Sequence, residues 1–145
     1  MASMKFTDNS KKAKQAIADG MDAGLEAALL IVEAQAKALT PVDSGGLRDS
    51  LTHAQEKTSG GWSGIVGTPL MYGIYVEFGT GEFASNGAGR KGGWRYMAPD
   101  GKWYFTKGMK AQPFLLPAFR RTKKNVETTL GAKLKEVTGK LWLNY

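Results

Sequence analysis

Between Ser10 and Leu39 the apolar residues Ile17, Met21, Leu25, Leu29, Val32, Ala36 and Leu39 recur at steps of three and four, the spacing of one face of an α-helix. A long amphipathic helix is predicted there. Asn9 or Ser10 is placed to cap its first turn, and Pro41 drives Thr40 out of the helical region and ends it. In the following Pro41-Val42-Asp43-Ser44-Gly45-Gly46-Leu47-Arg48, Asp43 and Ser44 can bond later backbone amides and the glycines accept positive φ, so a structured turn is expected. Residues 50–57 and 62–67, bounded by Ser59-Gly60-Gly61 and Gly67-Thr68-Pro69, read as an antiparallel hairpin. Tyr72, Tyr75, Val76 and Phe78 step by about three, which suits a short helix closed by Gly79, with a strand as the alternative.

The residues from Gly79 to Gly93, GTGEFASNGAGRKGG, include six glycines and little to bury, and predict a long loop that is mobile or ordered by a partner. Trp94–Ala98 and Lys102–Thr106 flank Pro99-Asp100-Gly101, a second hairpin in which proline presets φ and glycine takes the left-handed position. Pro113 and Pro117 fit the first turn of a second long helix, with Leu116, Phe119, Val126, Leu130, Leu134 and Val137 on its apolar face. The expected fold is α+β: a small antiparallel sheet of two hairpins against two long helices, with one short helix and the glycine-rich loop at 79–93 inserted in a single domain over 1–145. Tyr72, Tyr75 and Phe78 are expected to be buried where the short helix meets the sheet, and the hairpin aromatics are expected in the core.

Composition narrows the chemistry. The 145 residues contain no cysteine and one histidine, His53, which removes disulfides, thiolate nucleophiles and multi-histidine metal sites. The longest apolar run, Ala27 to Val32, falls far short of the roughly 18 residues of a membrane span, and the N-terminus lacks the pattern of a secretory signal. Gly87-Ala88-Gly89-Arg90-Lys91-Gly92 and Gly79-Thr80-Gly81-Glu82-Phe83-Ala84 match dinucleotide-binding spacing, but neither follows a buried parallel strand nor opens a helix. Gly61-Trp62-Ser63-Gly64 lacks the second glycine offset of a nucleophile elbow. His53 has no orienting carboxylate two positions away on its strand and reads as a packing or surface residue. Nothing pairs Asp43, Asp49, Glu77 or Glu82 as an acid–base couple. No catalytic set, cofactor or metal is expected.

The formal net charge is +7, and it is unevenly placed. Residues 1–39 balance five bases against five acids, whereas 79–112 carry six bases (Arg90, Lys91, Arg95, Lys102, Lys107 and Lys110) against Glu82 and Asp100, and 113–145 carry seven bases against Glu127 and Glu136. A cationic back half serves DNA, an acidic neighbouring protein or simple solvation. Bases interleaved with Trp94, Tyr96, Trp103, Tyr104 and Phe105 also resemble a single-strand binding platform, so a basic nucleic-acid-binding module is the rival function.

Three blocks occur in series: Thr40-Pro41-Val42-Asp43-Ser44-Gly45-Gly46-Leu47-Arg48-Asp49-Ser50; Val66-Gly67-Thr68 through Tyr72-Gly73-Ile74-Tyr75-Val76-Glu77-Phe78-Gly79-Thr80-Gly81; and Gln112-Pro113-Phe114-Leu115-Leu116-Pro117-Ala118-Phe119. Over about residues 10–138 the chain resembles the small tail-component proteins of tailed bacteriophages typified by phage HK97. The resemblance implies a non-catalytic virion protein of the neck, a tail-completion component that forms a ring, sixfold by analogy, between the head connector and the tail-terminator or tail-tube proteins while DNA passes. Glu77, Phe78, Phe83, Arg90, Lys91, Arg95 and Phe114 are the expected subunit or partner contacts. Arg90, Lys91, Lys107 and Lys110 are the expected lumen- or DNA-facing residues.

Overall fold

The computed structural model describes residues 3–43 and 45–142, so the Ser44 part of the expected turn lies outside the described residues. In chain order the elements are α1 (Ser10–Leu39), α2 (Gly46–Ser50), β1 (Thr52–Thr58), β2 (Gly61–Gly67), α3 (Tyr72–Phe78), a 3-10 turn (Gly81–Phe83), β3 (Trp94–Met97), β4 (Trp103–Thr106) and α4 (Leu115–Trp142). The α+β class holds. The two hairpins, however, form two separate two-stranded sheets.

α1 has Asn9 at its N-cap position, one of the two expected, and the Asp8 carboxylate accepts the Ser10 N–H at 2.9 Å just before it. It stops at Thr40, whose N–H and hydroxyl both donate to the Ala36 carbonyl before Pro41. α4 runs antiparallel to α1, with Gly20 beside Val137 and Gly24 beside Leu130 and Lys133, while Ala36 meets Phe114 and Ala118 at the other end. Gly20, Gly24 and Ala28 are buried at i, i+4 and i+8. Small side chains there let the two helices approach closely, since a Cβ on Gly20 would stand 2.7 Å from Val137 Cγ2.

The core lies in two clusters. Ala36, Leu47, Leu51, Phe114 and Ala118 form one, with Val76 and Leu70 packed on it; Leu29, Val32 and Val66 form the other, with Leu25 and Val126 beside them. The expected stripe of α4 is corrected at its N-terminal end. Leu116 and Phe119 are about half exposed, and Phe114, Ala118 and Thr122 take the buried positions. Steps of four from Phe114 to Val126 follow α1, and the small Ala118 and Thr122 allow the same close approach. Thr122 meets its polar requirement by donating to the Ala118 carbonyl at 2.7 Å.

β1 and β2 pair with His53 opposite Val66, Gln55 opposite Gly64 and Lys57 opposite Trp62. Alternation puts these six on one face, and that face lies on α1: Gly64 sits under Leu29, where a Cβ would come within 2.7 Å of Leu29 Cδ2.

Candidate functional site

The third block of sequence similarity and the second meet at one side chain. Glu77, buried on α3, accepts N–H groups from Phe114 (2.7 Å) and Leu115 (2.9 Å) on Oε2 and from Leu116 (3.0 Å) on Oε1. The next residue, Pro117, has no N–H to leave unsatisfied. A single carboxylate thus closes the first turn of α4, where the backbone donors and the helix dipole both favour negative charge. α4 therefore opens at Leu115, two residues later than Pro113 implies. Glu77 and the fully buried Phe114, both expected at a partner contact, occupy internal positions.

Downstream of Glu77 the chain reverses sharply. Gly79 (φ +78°) and Gly81 (φ +62°) adopt left-handed geometry, and a Cβ on either would run into the backbone of residues 107–111. That backbone is bonded to the turn: Thr80 N–H donates to Met109 O, Glu82 N–H to Lys107 O, Met109 N–H to Thr80 Oγ1 and Gln112 N–H to Val76 O, each at 2.8 Å. Ser85 closes back on Phe78 through its N–H and hydroxyl. The glycine-rich stretch, expected to be mobile or ordered by a partner, thus has an internal set of turns, and its glycines serve close backbone approach as much as looseness.

Between α3 and these turns lies a cleft of about 410 Å³, lined by Ile74, Tyr75, Phe78, Ala84 and Trp94 among others, with Arg90 at its edge. The Arg90 guanidinium lies 5.8 Å from the centre of the Trp94 ring. Tyr72, Tyr75 and Phe78, expected in the core, are 40–52% exposed. The hairpin β3–β4 follows the same rule. Its register places Trp94, Tyr96, Tyr104 and Thr106 on one face and Arg95, Met97, Trp103 and Phe105 on the other, and Trp103 is 64% exposed. The expectation of core aromatics on this hairpin is corrected: no described apolar layer covers either face, because the core is already filled from α1, α4 and β2. Asp100 braces the turn by accepting the Lys102 N–H and the Tyr104 hydroxyl, which hold its carboxyl below the usual range and push the Tyr104 phenol up.

Phe83, Arg90, Lys91, Arg95, Lys107 and Lys110 are exposed. Lys107 approaches Glu82 at 3.9 Å. The cleft brings together Phe78 and Arg90; Lys107 lies along the strip bonded to Thr80 and Glu82, and Glu77 and Phe114 lie beneath. His53 is neither free nor catalytic in arrangement. Its Nδ1 meets Glu33 at 2.5 Å and its Nε2 meets Glu26 at 2.9 Å, and Lys37 binds Glu33 from the other side. The bonds to Glu33 and then Glu26 raise the His53 pKa, and His53 and then Lys37 lower that of Glu33. These carboxylates come from α1, which adjacency along a strand could not reveal. A nucleophile within reach of the ring is not among its hydrogen-bond partners.

The chain is a small α+β fold with a filled helical core and a large displayed aromatic surface. Residues 4–79 match the family described as bacteriophage HK97-gp10, tail-component, and the chain belongs to that family. It is accordingly a structural component of a phage virion, working in contact with other structural proteins of the particle. No curated protein matches the chain, and no solved structure does. The matched span ends at Gly79, so it includes Glu77 and stops short of the cleft turns, the second hairpin and α4.

Proposed function

We propose that the chain is a neck or tail-completion subunit, one domain over its length, that assembles with copies of itself into a ring joining the tail to the head connector and leaving a passage for DNA. The observation that carries this reading is the β3–β4 hairpin with its adjoining cleft: aromatic side chains exposed on a short two-stranded ribbon, a unit of marginal stability by itself, gain their burial from a neighbour. Head-to-tail contacts between identical subunits close into a ring when the rotation between them divides a full turn, and six subunits fit the family resemblance. The role is architectural rather than enzymatic. Exposed Lys107 and Lys110 supply the cationic surface toward passing DNA.

Electron microscopy of virions carrying a labelled copy of this chain tests the reading. A ring of label at the head–tail junction is expected, with heads and tails accumulating unjoined when the chain is withheld. Label along the tail tube, or full joining without the chain, overturns it.

A further inference from the structure

The cleft beside α3 has a counterpart in charge on α1 of the same molecule. Residues 15–36 of α1 contain Asp19, Asp22, Glu26 and Glu33 and no lysine or arginine, whereas residues 79–112 carry six bases against two acids. Net charge alone hides this opposition. On α1 the buried positions Gly20, Gly24 and Ala28 face α4, and Leu29 and Glu33 face the first hairpin. Asp19, Ala23, Glu26 and Leu30 follow steps of four, three and four along a third line and are all exposed, Leu30 by 50%, with Glu26 at the border of that line and also bonded to His53 at 2.9 Å.

We propose that this exposed line of α1 in one copy seats in the aromatic cleft of the next, Leu30 entering between Tyr75 and Phe78 while Asp19 and Glu26 face Arg90 and Lys91. The inference rests on the ring reading and specifies its contact. Three features fit one another. The cleft is mostly apolar with Arg90 in its lining and Lys91 next in the chain, and the helix line is acidic with one large apolar side chain, the pattern of a helix laid in a groove. The contact is heterologous, as a ring requires; a contact of the cleft with itself would bring like charges together. Exposed area is also available. Aromatic side chains carry roughly 150–250 Å² each, so Tyr75 and Phe78 in the cleft, with Tyr96 and Tyr104 beyond it on the Trp94 face of the second hairpin, each 40–52% exposed, offer about 350 Å² of the ~800 Å² per partner of a standard interface. The polar edge supplies the remainder.

The test is a charge exchange on the full chain. R90E/K91E reverses the cleft edge, and D19K/A23K reverses the helix line at two exposed positions clear of the Glu26–His53 and Asp22–Trp62 bonds. In sedimentation equilibrium at low salt, each variant alone should self-associate about tenfold or more weakly than the parent. An equimolar mixture of the two should recover the parental assembly within about threefold, because every contact in an alternating ring is then again between opposite charges. Leu30→Ala, which alters no charge and little burial, should weaken association similarly with an unchanged melting temperature. Parental oligomers from both charge variants overturn this contact and leave the ring standing. A chain that stays monomeric at high concentration, is absent from the neck by microscopy and binds duplex DNA with a steep salt dependence overturns contact and ring together, and returns the cationic surface to nucleic acid.

Discussion

The two hairpins are built from opposite materials and meet opposite fates. β1–β2 has mostly modest residues on its inner face, yet five of the six there engage α1: Val66 in the core, Gly64 under Leu29, Trp62 Nε1 donating to Asp22 at 2.6 Å, Gln55 donating to the Asp22 carbonyl at 3.3 Å and His53 between two glutamates, while Lys57 lies over the Trp62 ring. β3–β4 contains more large apolar surface than β1–β2 and leaves it in solvent. Burial is thus decided by whether a covering layer exists within the chain, not by apolar content alone. What joins the displayed hairpin to the body is its stem, the backbone pairing of 76–82 with 107–112, anchored by Glu77.

The sharpest way to break the contrast is to cut that anchor. Glu77→Ala leaves the Phe114, Leu115 and Leu116 N–H groups without an acceptor at a buried helix end. At about 1–3 kcal/mol per orphaned or charge-assisted bond, partly relieved by water, the expected loss is about 3–5 kcal/mol. Thermal unfolding followed by circular dichroism should show a fall of about 10–15 °C. Glu77→Gln retains one acceptor oxygen and should fall between. An unchanged midpoint for Glu77→Ala would mean that α4 is capped by something else.

Next in size is the packing of the first hairpin on α1. Leu29→Ala removes the side chain that covers Gly64 and touches Val32 and Val66, and should cost about 2–4 kcal/mol in chemical denaturation. A cost below about 1 kcal/mol would show that the hairpin is held by its polar contacts instead.

Those polar contacts give the first hairpin a pH dependence set by His53 and Glu33, whereas that of the second rests on Asp100 and Tyr104. His53 has a folded pKa above its ordinary 6.5, so its contribution is fully present below that value and is lost as pH rises through the raised one. Glu33 has a folded pKa below its ordinary 4.5, so its contribution is present above that value and is lost as pH falls through the lowered one. The clamp is therefore strongest between about pH 4.5 and 6.5 and loosens on both sides. His53→Gln should flatten the alkaline limb of the stability profile, measured by urea midpoint against pH. An alkaline limb identical to the parent would remove His53 as its cause.

How far these features are legible in the sequence depends on the range of the interaction behind each. The three-and-four spacing of α1, the Pro41 stop, the turn at Pro99-Asp100-Gly101 and the short helix at 72–78 are local, and both hairpins fall within about two residues of their expected bounds. Gly20 and Gly24 carry no apolar signal, so the close approach of α4 is invisible until the second helix is in place. The phase of α4 fails at Leu116 and Phe119 for the same reason: small Ala118 and Thr122 beat larger neighbours because α1 allows no more room. The Glu77 cap spans 37 to 39 residues and the His53 clamp 20 and 27, and no pattern within either element announces them. Of the candidate surface residues, the exposed cations were legible from charge alone. The exposed aromatics were not, because large rings on a strand ordinarily mark a core.

The smallest expected effect on stability is at Trp103, and it discriminates most cleanly between the two hairpins. Its side chain is 64% exposed on the face shared with Arg95, Met97 and Phe105, and it makes no hydrogen bond or ring contact among the described residues. If the second hairpin is a displayed surface, Trp103→Ala should change the unfolding free energy by no more than about 0.5 kcal/mol, as for a surface substitution. The same change in a hairpin folded onto its own core would cost about 3–5 kcal/mol. A small loss in denaturation, accompanied by fewer joined particles when the variant is supplied during phage assembly, gives Trp103 a role between molecules rather than within one. A loss of several kcal/mol would place a covering layer over the hairpin inside the single chain, and the contrast between the two hairpins would vanish.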